Sequence, residues 1–355
     1  MNIIFSVLIF CIVLFIYLHV HFHLKTSDDL ELYEIELPSK TKLEEICDIR
    51  QPLVFIFNNE RIMETCQRKT VLDTYGAFDI KMRNIKDQTD DSEMYIPLAF
   101  ASALKVLKED NLEKYITENN SDFLEETGLV KSFSYNDDFL RPSMVSNCYY
   151  DFICASENCK TPFRYEVNYR NYFLVTEGEI KIKLAPPKST RYLYVNKDYE
   201  NFEFRSPVNP WKIQQQYKPD FDKIKCLEII VTKGKMIFIP AYWWYSINFS
   251  INTSLCSFKY RTYMNNVAIL PQLVMRFLQG QNVKRNIVEQ IKDNNNSNIV
   301  TGTISGNNTI SDNNSISGNN TISDNNSISD NNTISGNNTI SDNNTISDTK
   351  TITKV

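Results

Sequence analysis

From Ile3 to Phe22 the chain is an almost unbroken run of Ile, Leu, Val and Phe, with no Asp, Glu, Lys or Arg. Twenty residues of helix rise about 30 Å, the thickness of a bilayer's hydrocarbon core. A cleaved leader would show a basic start, a shorter apolar stretch and a small-residue cleavage site. No Lys or Arg precedes this run and no such site follows it. The expectation is a single-pass N-terminal transmembrane anchor over residues 1–24, contacting the membrane through residues 3–22. Lys25 weakly favours a cytosolic C-terminal side, and the acidic residues after it count for little. The side of the membrane therefore stays open.

His19, His21 and His23 are the chain's 3 histidines, and all lie in or beside that run. Only His19 and His23 share a helical face, and no carboxylate or cysteine completes a metal shell. They read as a helix end at the polar interface. No histidine follows, which excludes Ser-His-Asp and Cys-His catalysis, histidine-ligated zinc and the 2-His-1-carboxylate iron site. The 9 glycines are too dispersed for G-x-G-x-x-G or a P-loop. Lys+Arg 38 against Asp+Glu 43, net charge −5, argues against a nucleic-acid partner.

Cys148, Cys154 and Cys159 lack C-x-x-C spacing and read as ordinary buried thiols. Disulfides become possible only in an oxidising compartment. From Thr303 the chain repeats six residues, TISGNN and TISDNN and their Ser variants. One Ile in six buries too little surface to offset chain entropy, so a disordered tail is expected over 293–355. The alternative is a short β-solenoid, in which three hexads make one triangular coil. Each Asn-Asn-Ser/Thr is a sequon, which matters only in a glycosylating compartment.

A globular region of residues 28–292 remains. Thr41-x-x-Glu44 suggests a capping box, Pro52–Phe57 a buried strand and Pro97–Leu112 a helix. Beyond Asn147 the pattern is β. Ile180, Ile182 and Leu184 alternate with Lys181 and Lys183, and Glu177-Gly178 supplies the turn before them. Leu227–Val231, Met236–Ile239, Trp243–Asn248 and Leu255–Tyr260 continue as strands. Short strands joined by turns point to a sandwich or barrel core at about 147–262. A helix follows over about 268–280, its stripe of Leu270, Leu273, Val274, Phe277 and Leu278 expected to pack on the barrel or to pair two chains as a homodimer.

Thr161-Pro162-Phe163-Arg164-Tyr165-Glu166, then Asn171, Gly178 and Leu184-Ala185-Pro186-Pro187, precede Gly234-Lys235-Met236-Ile237-Phe238-Ile239-Pro240-Ala241-Tyr242-Trp243-Trp244-Tyr245. This resembles the cupin-like JmjC oxygenases, especially the asparaginyl-hydroxylase type, over about residues 35–280. The resemblance implies a mainly β fold with flanking helices: a jelly roll, or double-stranded β-helix, that uses iron(II) and 2-oxoglutarate. By the same resemblance the first iron histidine falls on Arg164, the acidic ligand on Glu166 and the second histidine on Tyr245. A one-residue shift would put the first two on Tyr165 and Val167. The lysine that pairs with 2-oxoglutarate falls on Ile180, and Thr161, Asn171 and Trp244 become pocket-lining candidates.

One carboxylate, a neutral phenol and a guanidinium make a poor iron site. The expected molecule is thus a pseudoenzyme, with no catalytic residue, metal or cofactor. It would act as a membrane-anchored binding or structural module whose partner is an unidentified protein or small anionic ligand. The alternative is an active iron(II)/2-oxoglutarate-dependent protein hydroxylase with an unusual metal site. Arg164 and Glu166, two apart on one strand, face the same way. They are expected to pair with each other where the family holds its metal.

Overall fold

A computed structural model describes residues 3–57, 59–86, 95–199 and 201–280, with short strands further on. The chain divides into two compact units, Met1–Ile287 and Val288–Val355. In the first, two six-stranded sheets make a jelly roll. The first sheet runs, in spatial order, Tyr33–Ile35, Leu53–Ile56, Lys235–Phe238, Arg170–Glu177, Ser254–Thr262 and Val145–Cys154. The second runs Asn196–Asp198, Glu203–Ser206, Phe163–Tyr165, Trp244–Phe249, Glu179–Ala185 and Leu227–Thr232.

The alternation read in the sequence sets the inward faces. Ile180, Ile182 and Leu184 are buried and Lys181 and Lys183 lean outward. Ile182 sits opposite both Ile247 and Ile229, so three strands contribute to one apolar layer. Gly178 closes the hairpin between the sheets at φ +70°, with Thr253 too close for any Cβ there. Trp243 is fully buried and donates its indole N–H to the Arg50 carbonyl at 3.1 Å.

A small third sheet, Ile96–Ala99, Asp79–Asn84 and Tyr115–Thr117, lies beside the jelly roll and delivers charged residues to it. Two local readings shift. The first cap is Ser39, whose hydroxyl accepts the Lys42 N–H at 3.2 Å, because the helix begins at Lys40 rather than after Thr41. Residues 97–99 are strand, and the helix spans Phe100–Glu109, because Ile96–Ala99 pairs with Asp79–Met82.

The C-terminal helix divides into Tyr263–Ala268 and Leu270–Gly280. The expected packing of its stripe on the barrel fails in large part. Leu273 joins the cluster of Val167, Phe204 and Ile269, while Leu270, Val274 and Phe277 are exposed. Leu273, the Gln279 amide oxygen that accepts the Tyr199 N–H at 3.1 Å, and Arg276 over the Phe202 ring hold the helix to the domain, which leaves the rest of its apolar arc exposed.

The N-terminal run forms the helix Ile3–Leu24. Among the described residues it is the one helix long and apolar enough to cross a membrane, with mean hydropathy 2.9. The expected disorder of the tail falls mostly on residues outside those described. The described ones are two-residue strands paired in parallel, such as Thr309 with Ser327 and Ser327 with Thr345. That 18-residue step is three hexads, the register of a triangular coil.

Candidate functional site

Arg164 lies mid-strand between two neighbours, with Arg205 opposite it on one side and Tyr245 on the other. Directly opposed residues share a sheet face, so the three side chains form a row. The guanidinium of Arg164 turns to Glu118, just past the strand Tyr115–Thr117. Nη2 donates to Glu118 Oε2 at 2.8 Å and Nη1 to Oε1 at 3.3 Å. This is the two-point fork that suits a buried arginine. Arg83 contacts the same Glu118 carboxylate and reaches Glu203 at 3.3 Å. Glu203 also meets Arg205 Nε at 3.2 Å and Arg164 at 3.6 Å. Three arginines and two glutamates thus form one network at the inner end of the second sheet.

Its electrostatics are those of a closed ionic cluster. Burial would raise the Glu118 carboxyl, but Arg164 and Arg83 outweigh it and hold it down at about 2. Burial works against the charge of Arg164, and Glu118 overrides it, lifting its pKa well above the ordinary value. Asp151 accepts the N–H groups of Asn119 and Asn120 at 2.8 and 3.0 Å beside the cluster. There burial dominates, and its carboxyl is pushed up to about 6.

The expected Arg164–Glu166 pair does not form. The strand ends at Tyr165, and the Glu166 carbonyl accepts the Tyr242 N–H at 2.8 Å, fixing the turn. From there the Glu166 side chain takes a different cation, Lys259 Nζ at 2.7 Å. It also accepts the Tyr245 hydroxyl at 3.1 Å and the Asn168 amide at 3.2 Å. Tyr245 is fully buried, and burial holds its phenol protonated, far above the ordinary tyrosine range. Arg164 Cζ lies 5.6 Å from the centre of that ring. The three positions Arg164, Glu166 and Tyr245 are therefore brought together, but through Tyr245 rather than through a direct ion pair.

The shifted positions carry no donor role. Tyr165 stacks on Phe204 at 5.0 Å and Val167 is in the apolar core. Ile180 is buried among apolar side chains, facing Val231 and Phe249 across its strand. Thr161 spends its hydroxyl on the Ile247 N–H at 2.8 Å. Asn171 donates to the Asn168 and Ile239 carbonyls, both at 3.2 Å. The Trp244 indole donates to Thr190 at 2.9 Å. These three pocket candidates tie the wall of the jelly roll together.

Iron(II) needs anionic or neutral donors with free lone pairs. Here a guanidinium, a protonated phenol and a carboxylate already paired with an ammonium occupy the positions, so the residues do not fit the metal. Among the described residues no group of three or more His, Cys, Asp or Glu side chains could hold a metal ion.

The sequence reading missed Glu118, Glu203, Arg83 and Lys259. Lys259 was legible in principle, since it shares a strand face with Leu255, which lies in the core. Glu118 follows a three-residue strand and precedes two asparagines, a context with no periodic signal.

The jelly-roll topology agrees with the comparison of the sequence with protein families. The model of the cupin-like domain matches residues 57–269, more than half of the chain. The chain belongs to the cupin-like family. No curated protein matches it.

Proposed function

We propose that this protein is a single-pass membrane protein whose cupin-like domain has exchanged the family's iron and 2-oxoglutarate chemistry for a structural salt-bridge network. It serves as a non-catalytic binding or scaffolding module. The observation that carries this reading is the Glu166–Lys259 pair at 2.7 Å, under the buried Tyr245 hydroxyl. A lysine ammonium supplies in place the positive charge that a metal would otherwise bring, and it needs no cofactor. The Arg164–Glu118 fork beside it adds support. Both terminal nitrogens of Arg164 are engaged internally, which makes an outside protein surface a better partner for the module than a small anion.

The test is turnover. The full chain, given iron(II), ascorbate and 2-oxoglutarate, is expected to release no succinate above a protein-free control. Succinate release that scales with protein and disappears in Glu166→Ala would overturn the reading.

A further inference from the structure

The last turn of the N-terminal helix is built into the domain rather than tethered to it. His23 is 7% exposed, and its Nε2 meets Thr262 Oγ1 at 3.0 Å. Thr262 is also the cap of the helix Tyr263–Ala268, accepting the Asn265 N–H at 3.1 Å. The His23 ring lies 4.9 Å from Tyr169, and Phe22 sits under Arg50 at 5.4 Å. The residues that follow are pinned as well. Asp28 accepts the Lys188 N–H at 2.9 Å, and Leu30 and Leu32 pack on the main core. Residues 3–18, by contrast, are exposed along their whole length. If the helix Ile3–Leu24 spans a bilayer, Thr262 and the helix it caps stand at the membrane surface.

An unpartnered apolar face begins at that point. Tyr263 and Val267 are exposed on the capping helix, one turn apart. On Leu270–Gly280, Leu270, Val274 and Phe277 follow at i, i+4 and i+7, one stripe of a helix. They are 54%, 47% and 67% exposed. Gln272, Arg276 and Gln279 occupy the other side, so the helix is amphipathic with a polar back. Tyrosine at the junction and a short helix with an apolar stripe suit the headgroup boundary of a bilayer.

We propose that Tyr263, Val267, Leu270, Val274 and Phe277 form a second membrane contact, seating the cupin-like domain flat on the bilayer that the N-terminal helix crosses. The proposal rests on the anchor reading above. It commits to lipid rather than a second copy because the patch is continuous, through Thr262, with the helix that enters the membrane. Two contacts on one rigid body hold the domain in a fixed orientation, which a single helix on a flexible tether cannot do. The domain then presents a constant face to partners in the aqueous phase.

The test uses the full chain reconstituted in phosphatidylcholine vesicles, with Phe277→Trp and, separately, Leu270→Trp as probes. Both sites are exposed, so the larger ring is accommodated. The emission added over the native protein is expected to shift to the blue and to be lost to lipids brominated near the top of the acyl chain. Carbonate extraction of the same vesicles reports the anchor independently. Protein that resists extraction but shows no bromolipid quenching at either site overturns the seated orientation and leaves the anchor standing. Protein released by carbonate overturns both. A blue shift without quenching, together with concentration-dependent cross-linking, assigns the face to a homodimer and overturns the proposal.

Discussion

Replacing Glu118 with alanine is expected to destabilise the domain by about 3–5 kcal/mol, because the change strands buried arginines without their shared carboxylate. Arg164 loses a two-point contact at 2.8 and 3.3 Å, and Arg83 loses one of its two carboxylate partners and keeps Glu203 at 3.3 Å. For a domain of this size the loss corresponds to a fall of roughly 6–20 °C in thermal midpoint. The compensated variant Arg83→Met, Arg164→Met, Glu118→Leu should recover most of it. It removes the stranded charges together and leaves Glu203 with Arg205, a pair at 3.2 Å. Apolar replacement of a whole buried ionic group is commonly neutral or better. A change of under about 0.5 kcal/mol for Glu118→Ala would mean that the network is solvated and that the account of the site is wrong.

Stability should depend on pH in two opposed windows. Glu118 has a folded pKa of about 2 against an ordinary 4.5. A lowered carboxyl contributes stability that is present above pH 4.5 and lost as pH falls towards 2, about 3 kcal/mol in all. Asp151 has the reverse sign, at about 6 against an ordinary 3.8. Its contribution is fully present below pH 3.8 and is lost as pH rises through 6, again about 3 kcal/mol. Denaturant unfolding from pH 3 to 8 isolates each group by difference. Asp151→Asn should flatten the decline between pH 4 and 6.5 and leave the acid limb alone. Glu118→Gln should do the opposite. An Asp151→Asn profile parallel to the parent's would remove the buried acid from the account.

Much of the jelly roll was legible because its strands alternate. Ile180, Ile182 and Leu184 announced a face, and Gly178 announced the turn that its φ of +70° requires. The positions Arg164, Glu166 and Tyr245 were found through the family resemblance, and strand register does bring them together. The carboxylate partner of Arg164 was not legible. Glu118 comes from a separate small sheet, 46 residues before Arg164, and no local pattern carries a contact of that separation. The i, i+2 argument for Arg164 and Glu166 failed because it assumed a strand that continues, whereas the strand stops at Tyr165. The apolar stripe of Leu270–Gly280 was seen, but periodicity reports a face without saying what covers it.

The most direct test of the central claim, that ion pairs stand where the family holds its metal, is a calorimetric titration. The full chain, purified in detergent and stripped with chelator, is titrated with cobalt(II) as an air-stable surrogate for iron(II), with and without 2-oxoglutarate. The expected result is no saturable heat in either condition, because Lys259 and the Tyr245 hydroxyl already occupy the Glu166 carboxylate. One equivalent bound with saturation, tightened by 2-oxoglutarate and abolished by Glu166→Ala, would contradict the account.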